Sequence, residues 1–206
     1  MTTCRGRRGR NGKVGDSDKV FRGIPRVDAP GYVMGAYPKE WERHLILSDG
    51  SAVFVRPIRP EDEELYIPFF AAETTADLRR RFFAAVKRFN HKFIARLTHI
   101  DYAKAMAFVA IDEATGEMMG VARLHAAASA HCGEYAILVR SDLKGHGLGW
   151  QLMQMIIAYA RSKDYRCIEG QVLHENTPML DMCRELGFEI RTDPDEPYIC
   201  DVKLAL

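Results

Sequence analysis

Between Glu134 and Lys163 the chain reads EYAILVRSDLKGHGLGWQLMQMIIAYARSK, and few arrangements accommodate that order. Tyr135-Ala136-Ile137-Leu138-Val139 is a run of apolar, partly β-branched residues that predicts a buried strand. Gly145, Gly147 and Gly149 follow at alternate positions. Leu148, Leu152, Met155, Ile156 and Tyr159 then recur at three- and four-residue spacing, the apolar stripe of a helix. A strand that turns through glycines into a helix leaves several backbone N–H groups aimed at one point. Glycine lets a ligand approach the chain closely, and the helix dipole adds partial positive charge there. The expected ligand is an anion, best a phosphate or pyrophosphate.

The spacing narrows the choice. No Lys-Ser or Lys-Thr pair follows the glycines, as a P-loop requires. A dinucleotide fingerprint needs a third glycine that would fall at Trp150 or at Leu152, so that pattern fails as well. What stands here is Lys144-Gly145-His146-Gly147-Leu148-Gly149. It resembles the Arg/Gln-x-x-Gly-x-Gly/Ala loop of the GNAT superfamily of acyl-CoA-dependent N-acetyltransferases, with lysine at the first position.

Charge is unevenly spread along the 206 residues, which sum to +1. Arg5, Arg7, Arg8, Arg10, Lys13, Lys19, Arg22 and Arg26 crowd the start against Asp16 and Asp18. Residues 1–35 are therefore expected to form a disordered basic arm or linker, and residues 36–206 a mildly acidic domain. Phe21 is the one aromatic residue among these basic positions, too few for a stacking surface, which argues against a nucleic-acid partner. No apolar run is long enough to span a membrane. Five scattered cysteines form no Cys-x-x-Cys pair and are expected to be small buried hydrophobes in a reducing compartment, the cytoplasm. His125, His131 and Cys132 match no zinc spacing, so no metal is expected.

In chain order, Trp41–Leu47 and Ala52–Val55 read as strands joined by an Asp49-Gly50 turn. The acids from Glu61 to Glu64 fit the first turn of a helix. Thr75 and Asn90 read as caps of two short helices. Ala105–Ile111 and Met118–Leu124 read as an antiparallel pair. After the central element come a strand to Leu173, a helix from Asn176 stopped by Gly187, and two closing strands.

That order is similar to the layout of the GNAT fold. Asn176 with Gly187-Phe188 resembles the superfamily's second motif. Val55-Arg56-Pro57-Ile58-Arg59-Pro60-Glu61-Asp62, Val121-Ala122-Arg123-Leu124, Ile168-Glu169-Gly170 and Glu175-Asn176-Thr177-Pro178-Met179-Leu180 resemble the acetyltransferase domain of Pat-type bacterial protein lysine acetyltransferases. The resemblance implies an α/β (α+β) fold with a mixed, mostly antiparallel sheet, splayed central strands and helices on both faces. It implies acetyl-CoA as acyl donor, with the pyrophosphate on Lys144, Gly145, His146, Gly147, Leu148 and Gly149. Pantetheine would run along Leu138 and Val139 and meet Asn176.

The acceptor poses the energetic problem. A lysine amine is protonated at neutral pH, and removing its proton costs roughly 4.6 kcal/mol. In the Pat-like family a glutamate in an Ala/Gly-Glu-Phe/Tyr run serves as general base, and here the run is Gly133-Glu134-Tyr135. Otherwise Glu134 would pair across the sheet with a base such as Arg123. The superfamily's tyrosine acid position is Cys183 here, which is expected to pack. Lysine acetylation on proteins is the leading expectation. A small-amine acetyltransferase, a non-catalytic CoA-sensing module and a nucleotide-binding domain are the alternatives. The last would use Glu169 on a ribose and fits least well.

Overall fold

The strand that begins at Cys132 is the hinge of the architecture. In the computed structural model, residues 35–83, 89–127 and 131–206 are described. The basic arm expected over 1–35 lies almost wholly outside them. The strands are β1 (Arg43–Ile46), β2 (Ala52–Pro57), β3 (Ala105–Asp112), β4 (Met118–Ala126), β5 (Cys132–Val139), β6 (Cys167–Leu173), β7 (Glu189–Thr192) and β8 (Ile199–Ala205). The helices are α1 (Glu63–Ala71), α2 (Thr75–Phe82), α3 (His91–Thr98), α4 (Leu148–Ser162) and α5 (Thr177–Glu185). The strands make one sheet in the order β1-β2-β3-β4-β5-β6-β8-β7. Every neighbouring pair is antiparallel except β5 with β6.

That parallel pair is short. Cys132 stands opposite Cys167, Gly133 opposite Ile168 and Glu134 opposite Glu169, and there the register ends. Beyond it β5 stays with β4 as far as Val139, while β6 stays with β8 as far as Leu173. A wedge therefore opens in the middle of the sheet from Tyr135 onward.

Alternation along β5 divides the core. Tyr135, Ile137 and Val139 pack with Leu148, Leu152, Met153 and Ile156 of α4 and with Leu180 and Cys183 of α5. Leu138 packs on the other face with Tyr66, Phe69, Phe70, Leu78, Phe82, Phe93 and Leu97 of α1, α2 and α3. Leu152, Met153 and Ile156 are fully buried, and each contributes about 1.5–3 kcal/mol by leaving water.

Local signals set the turns as expected, with small displacements. The cap of α2 is Thr74 rather than Thr75, its hydroxyl accepting from the Asp77 N–H at 3.2 Å. Asn90 caps α3 through the Phe93 N–H at 2.8 Å. Asp62 does more than complement a helix dipole. Its carboxylate takes a two-pronged contact from Arg56 at 2.7 and 2.8 Å and accepts from the Arg59 N–H at 2.7 Å. A buried guanidinium needs such a partner, and this one ties β2 to the start of α1.

The cysteines depart from expectation. Cys132 and Cys167 are joined as a disulfide, although 35 positions separate them. Parallel pairing of β5 on β6 brings them side by side, which spacing alone does not reveal. Cys183 and Cys200 are free and buried, as anticipated. Among the described residues, no helix is long and apolar enough to cross a membrane.

Candidate active site

The wedge holds a cavity of about 900 Å3 that passes through the sheet. One end is walled by Leu143, Lys144, Gly145, Gly147, Leu148, Gly149 and Trp150. The other carries Arg81, Arg123, His125 and Glu134, while Arg80 shares Asp77 with Lys144. Val139, Asn176 and Met179 lie along its length.

The glycine end is built from backbone. Gly145 and Gly147 have φ of 88° and 89°, the left-handed region that glycine enters without steric cost. A side chain at either position would meet nothing within 4 Å, so the space above the turn is open. Gly147 is the N-cap of α4 and supplies no side-chain cap, which leaves first-turn N–H groups facing the cavity for an anion. The His146 carbonyl accepts from the Ser48 N–H and hydroxyl at 3.3 and 3.2 Å, and its ring stands 3.2 Å from Asp49. The β1–β2 hairpin thus anchors the loop from outside.

Lys144 points away from the helix terminus and is paired with Asp77 of α2. Asp77 also accepts from the Ser141 hydroxyl at 2.6 Å and from Arg80 at 2.9 Å. Burial alone would push its carboxyl up, but hydrogen bonds from Lys144, Ser141 and Thr74 outweigh it and hold the group well below the usual range. Burial pushes the neighbouring Glu73 up to about 7, against a hydrogen bond from Ser141. This cluster locks α2 onto the loop.

The middle of the wedge offers backbone. Once the pairing with β6 stops, the β6-facing edge of Tyr135–Val139 has no strand partner among the described residues, and an extended ligand can add there. Leu138 is buried, whereas Val139 is partly exposed. Asn176 is the N-cap of α5 without a side-chain cap bond, and it lines the cavity from the opposite wall.

Glu134 is the last residue paired on both sides, opposite His125 on β4 and Glu169 on β6. Its Oε2 lies 3.4 Å from His125 Nε2, a nitrogen that is buried without a hydrogen-bond partner among the described residues. Arg123 is not its cross-strand neighbour but stands two pairs further on, opposite Ala136. Below, the Tyr135 hydroxyl meets the Cys183 thiol at 3.3 Å. Burial, followed by the Cys183 neighbour, keeps the Tyr135 phenol protonated well above its ordinary range.

Comparison with known proteins now bears on this geometry. The family model described as Acetyltransferase (GNAT) family matches residues 68–188. The chain belongs to the GNAT family of acetyltransferases. An acetyltransferase from Pseudomonas aeruginosa is 33% identical over 162 residues, covering 78% of this chain and 87% of that one. The crystal structure of the GNAT domain of S. lividans PAT superposes with a TM-score of 0.75 at 28% identity, covering 82% of this chain and 99% of that one. The L-methionine sulfoximine/L-methionine sulfone acetyltransferase of P. aeruginosa is 37% identical over 57 residues, 28% of this chain and 33% of that protein.

As a GNAT acetyltransferase the chain uses acetyl-CoA as acyl donor. The fold brings Glu134, Leu138, Val139, Lys144, Gly145, Gly147, Leu148, Gly149 and Asn176 around one cavity. Side chains of Lys144 and His146 are engaged elsewhere, so the loop presents main chain. Sequence reasoning missed Arg81, Glu73, Asp77 and Ser141. The run Arg79-Arg80-Arg81 was a visible signal, but spacing did not show which of the three faces inward.

Proposed function

We propose that the chain transfers acetyl from acetyl-CoA directly to a primary amine, with Glu134 as general base. The observation that carries this reading is the position of Glu134 at the apex of the wedge, where the glycine-lined half of the cavity gives way to a polar half. The pyrophosphate lies on the N–H groups of residues 145–149, and pantetheine adds to the open edge of β5 near Leu138 and Val139 and passes Asn176. The amine nitrogen attacks the thioester carbonyl carbon while Glu134 takes its proton, directly or through a water. Backbone N–H groups at the splay stabilise the oxyanion. Collapse releases the amide and the CoA thiolate, which takes a proton from solvent.

Likeness to S. lividans PAT favours a protein lysine as acceptor. A small amine is the second reading, favoured by the cations at the acceptor end and by the sulfoximine acetyltransferase likeness. The cytoplasm, where acetyl-CoA is available, is the assigned compartment.

The test is Glu134→Gln assayed for thiol release beside acetyl-CoA binding by calorimetry. Turnover should fall by about 100- to 10,000-fold with binding kept. Equal turnover in the variant removes Glu134 as base.

A further inference from the structure

Arg81 and Arg123 bring two positive charges to the cavity on the side of Glu134. Arg123, on β4, is only 6% exposed. One of its N–H groups donates to the Leu97 carbonyl at 2.5 Å, in the last turn of α3. That bond, with the Tyr66 hydroxyl nearby, occupies only part of the guanidinium and brings no full counter-charge. Arg81, at the end of α2, lies partly buried over the Phe82 ring at 4.9 Å. Among the described residues it makes no hydrogen bond or ion pair, whereas its neighbour Arg80 is paired with Asp77. Residues 84–88 and 128–130, which flank these elements in sequence, contain no acid. Asp77, Asp181, Glu185 and Glu196 also line the cavity, but Glu134 is the acid whose charge reaches Arg81, and the proposed chemistry needs it for the amine.

Among the described residues, neither guanidinium has a carboxylate in ion-pair contact, and two such groups facing one cavity are costly to bury. Burial, and then the charge of Arg123, lower the Arg81 guanidinium to about 10, against the pull of Tyr66 and Glu134. Burial likewise lowers Arg123. An anion arriving with the substrate relieves this. Acetyl-CoA is not its source, because its phosphates are placed at the opposite end, on residues 145–149.

We infer that Arg81, backed by Arg123, binds a carboxylate on the acceptor, so that the acceptor class is a small amine bearing a carboxylate close to its nitrogen, as a free amino acid does. The inference rests on the transferase reading above. The carboxylate lies on Arg81 while the ammonium faces Glu134, an arrangement that fixes the nitrogen for attack. A lysine side chain in a protein brings no anion to this depth.

The experiment compares free L-amino acids with their carboxamides, and with a lysine peptide lacking acidic residues, by kcat/KM on the full chain. At least one acid should exceed its amide by about 10- to 100-fold, the range a hydrogen bond to a charged group carries. Arg81→Gln should bring that ratio close to one, and Arg81→Lys should leave it intermediate. Melting curves of both variants check that they fold. An unchanged acid-to-amide ratio in Arg81→Gln overturns the inference. So does parity of acids and amides in the parent protein, or a neutral lysine peptide outrunning every amino acid. These outcomes leave the transferase reading intact. Acetylation of no amine at all overturns both.

Discussion

Lys144 is paired with Asp77, and through that contact the first position of the glycine loop is held by α2 rather than left free for phosphate. Asp77 is 6% exposed and also meets Thr74, Arg80 and Ser141. Asp77→Asn leaves the lysine without its counter-charge. The variant should lose about 3 kcal/mol of stability in urea unfolding and show a several-fold higher KM for acetyl-CoA. Unchanged values of both would show that the loop does not depend on α2.

Glu73 predicts a pH dependence. The Ser141 hydroxyl has a single proton, yet it lies 2.8 Å from Glu73 and 2.6 Å from Asp77 while accepting from the Thr74 N–H at 3.0 Å. A proton on Glu73 closes the network. Its folded value of about 7 exceeds its ordinary 4.5, so its contribution is complete below the ordinary value and is lost as pH rises through the folded one. Stability should therefore fall between pH 4.5 and 7. Glu73→Gln should flatten that slope in a series of denaturant titrations.

Gly147, like Gly145, holds the left-handed backbone that a side chain strains. With φ at 89°, Gly147→Ala should cost about 1–2 kcal/mol in strain. Its methyl group would also enter the open space above the turn, where the proposed pyrophosphate site lies. Calorimetry should show acetyl-CoA affinity falling by more than the stability loss accounts for.

Gly170 makes room for Tyr135. A Cβ there would stand 2.9 Å from the ring's Cε1, and Phe188 packs at 5.7 Å on the same ring, which limits retreat. Gly170→Ala should destabilise by about 1–3 kcal/mol and weaken the Tyr135–Cys183 contact, seen as a changed reactivity of the Cys183 thiol.

The Cys132–Cys167 link should respond to conditions. Cytoplasmic reductants hold such pairs as thiols, whereas air-oxidised protein carries the bond. Oxidised protein should unfold about 3 kcal/mol harder than reduced protein, and Cys132→Ala should abolish the difference.

What sequence could reveal follows how far apart the causes lie. The Asp49-Gly50 hairpin, the Asn90 cap and the glycine loop depend on a few adjacent residues, and each stands where its signal did. Thr74 displaced Thr75 as a cap because either hydroxyl suits and only backbone geometry decides. Asp77 meets Lys144 and Cys132 meets Cys167 across long stretches of chain, so no local pattern announced them. Glu134 was reached through a family motif, while Arg81 needed the fold to show which side of a two-turn helix looks inward.

The divergence of β5 from β6 has a kinetic corollary. Residues from both faces of the sheet line the opening, so under the proposed direct transfer donor and acceptor approach from opposite sides and neither must leave before the other enters. That proposal has both in the protein together, with no acetylated side chain between them. Double-reciprocal plots at several donor concentrations should intersect instead of running parallel.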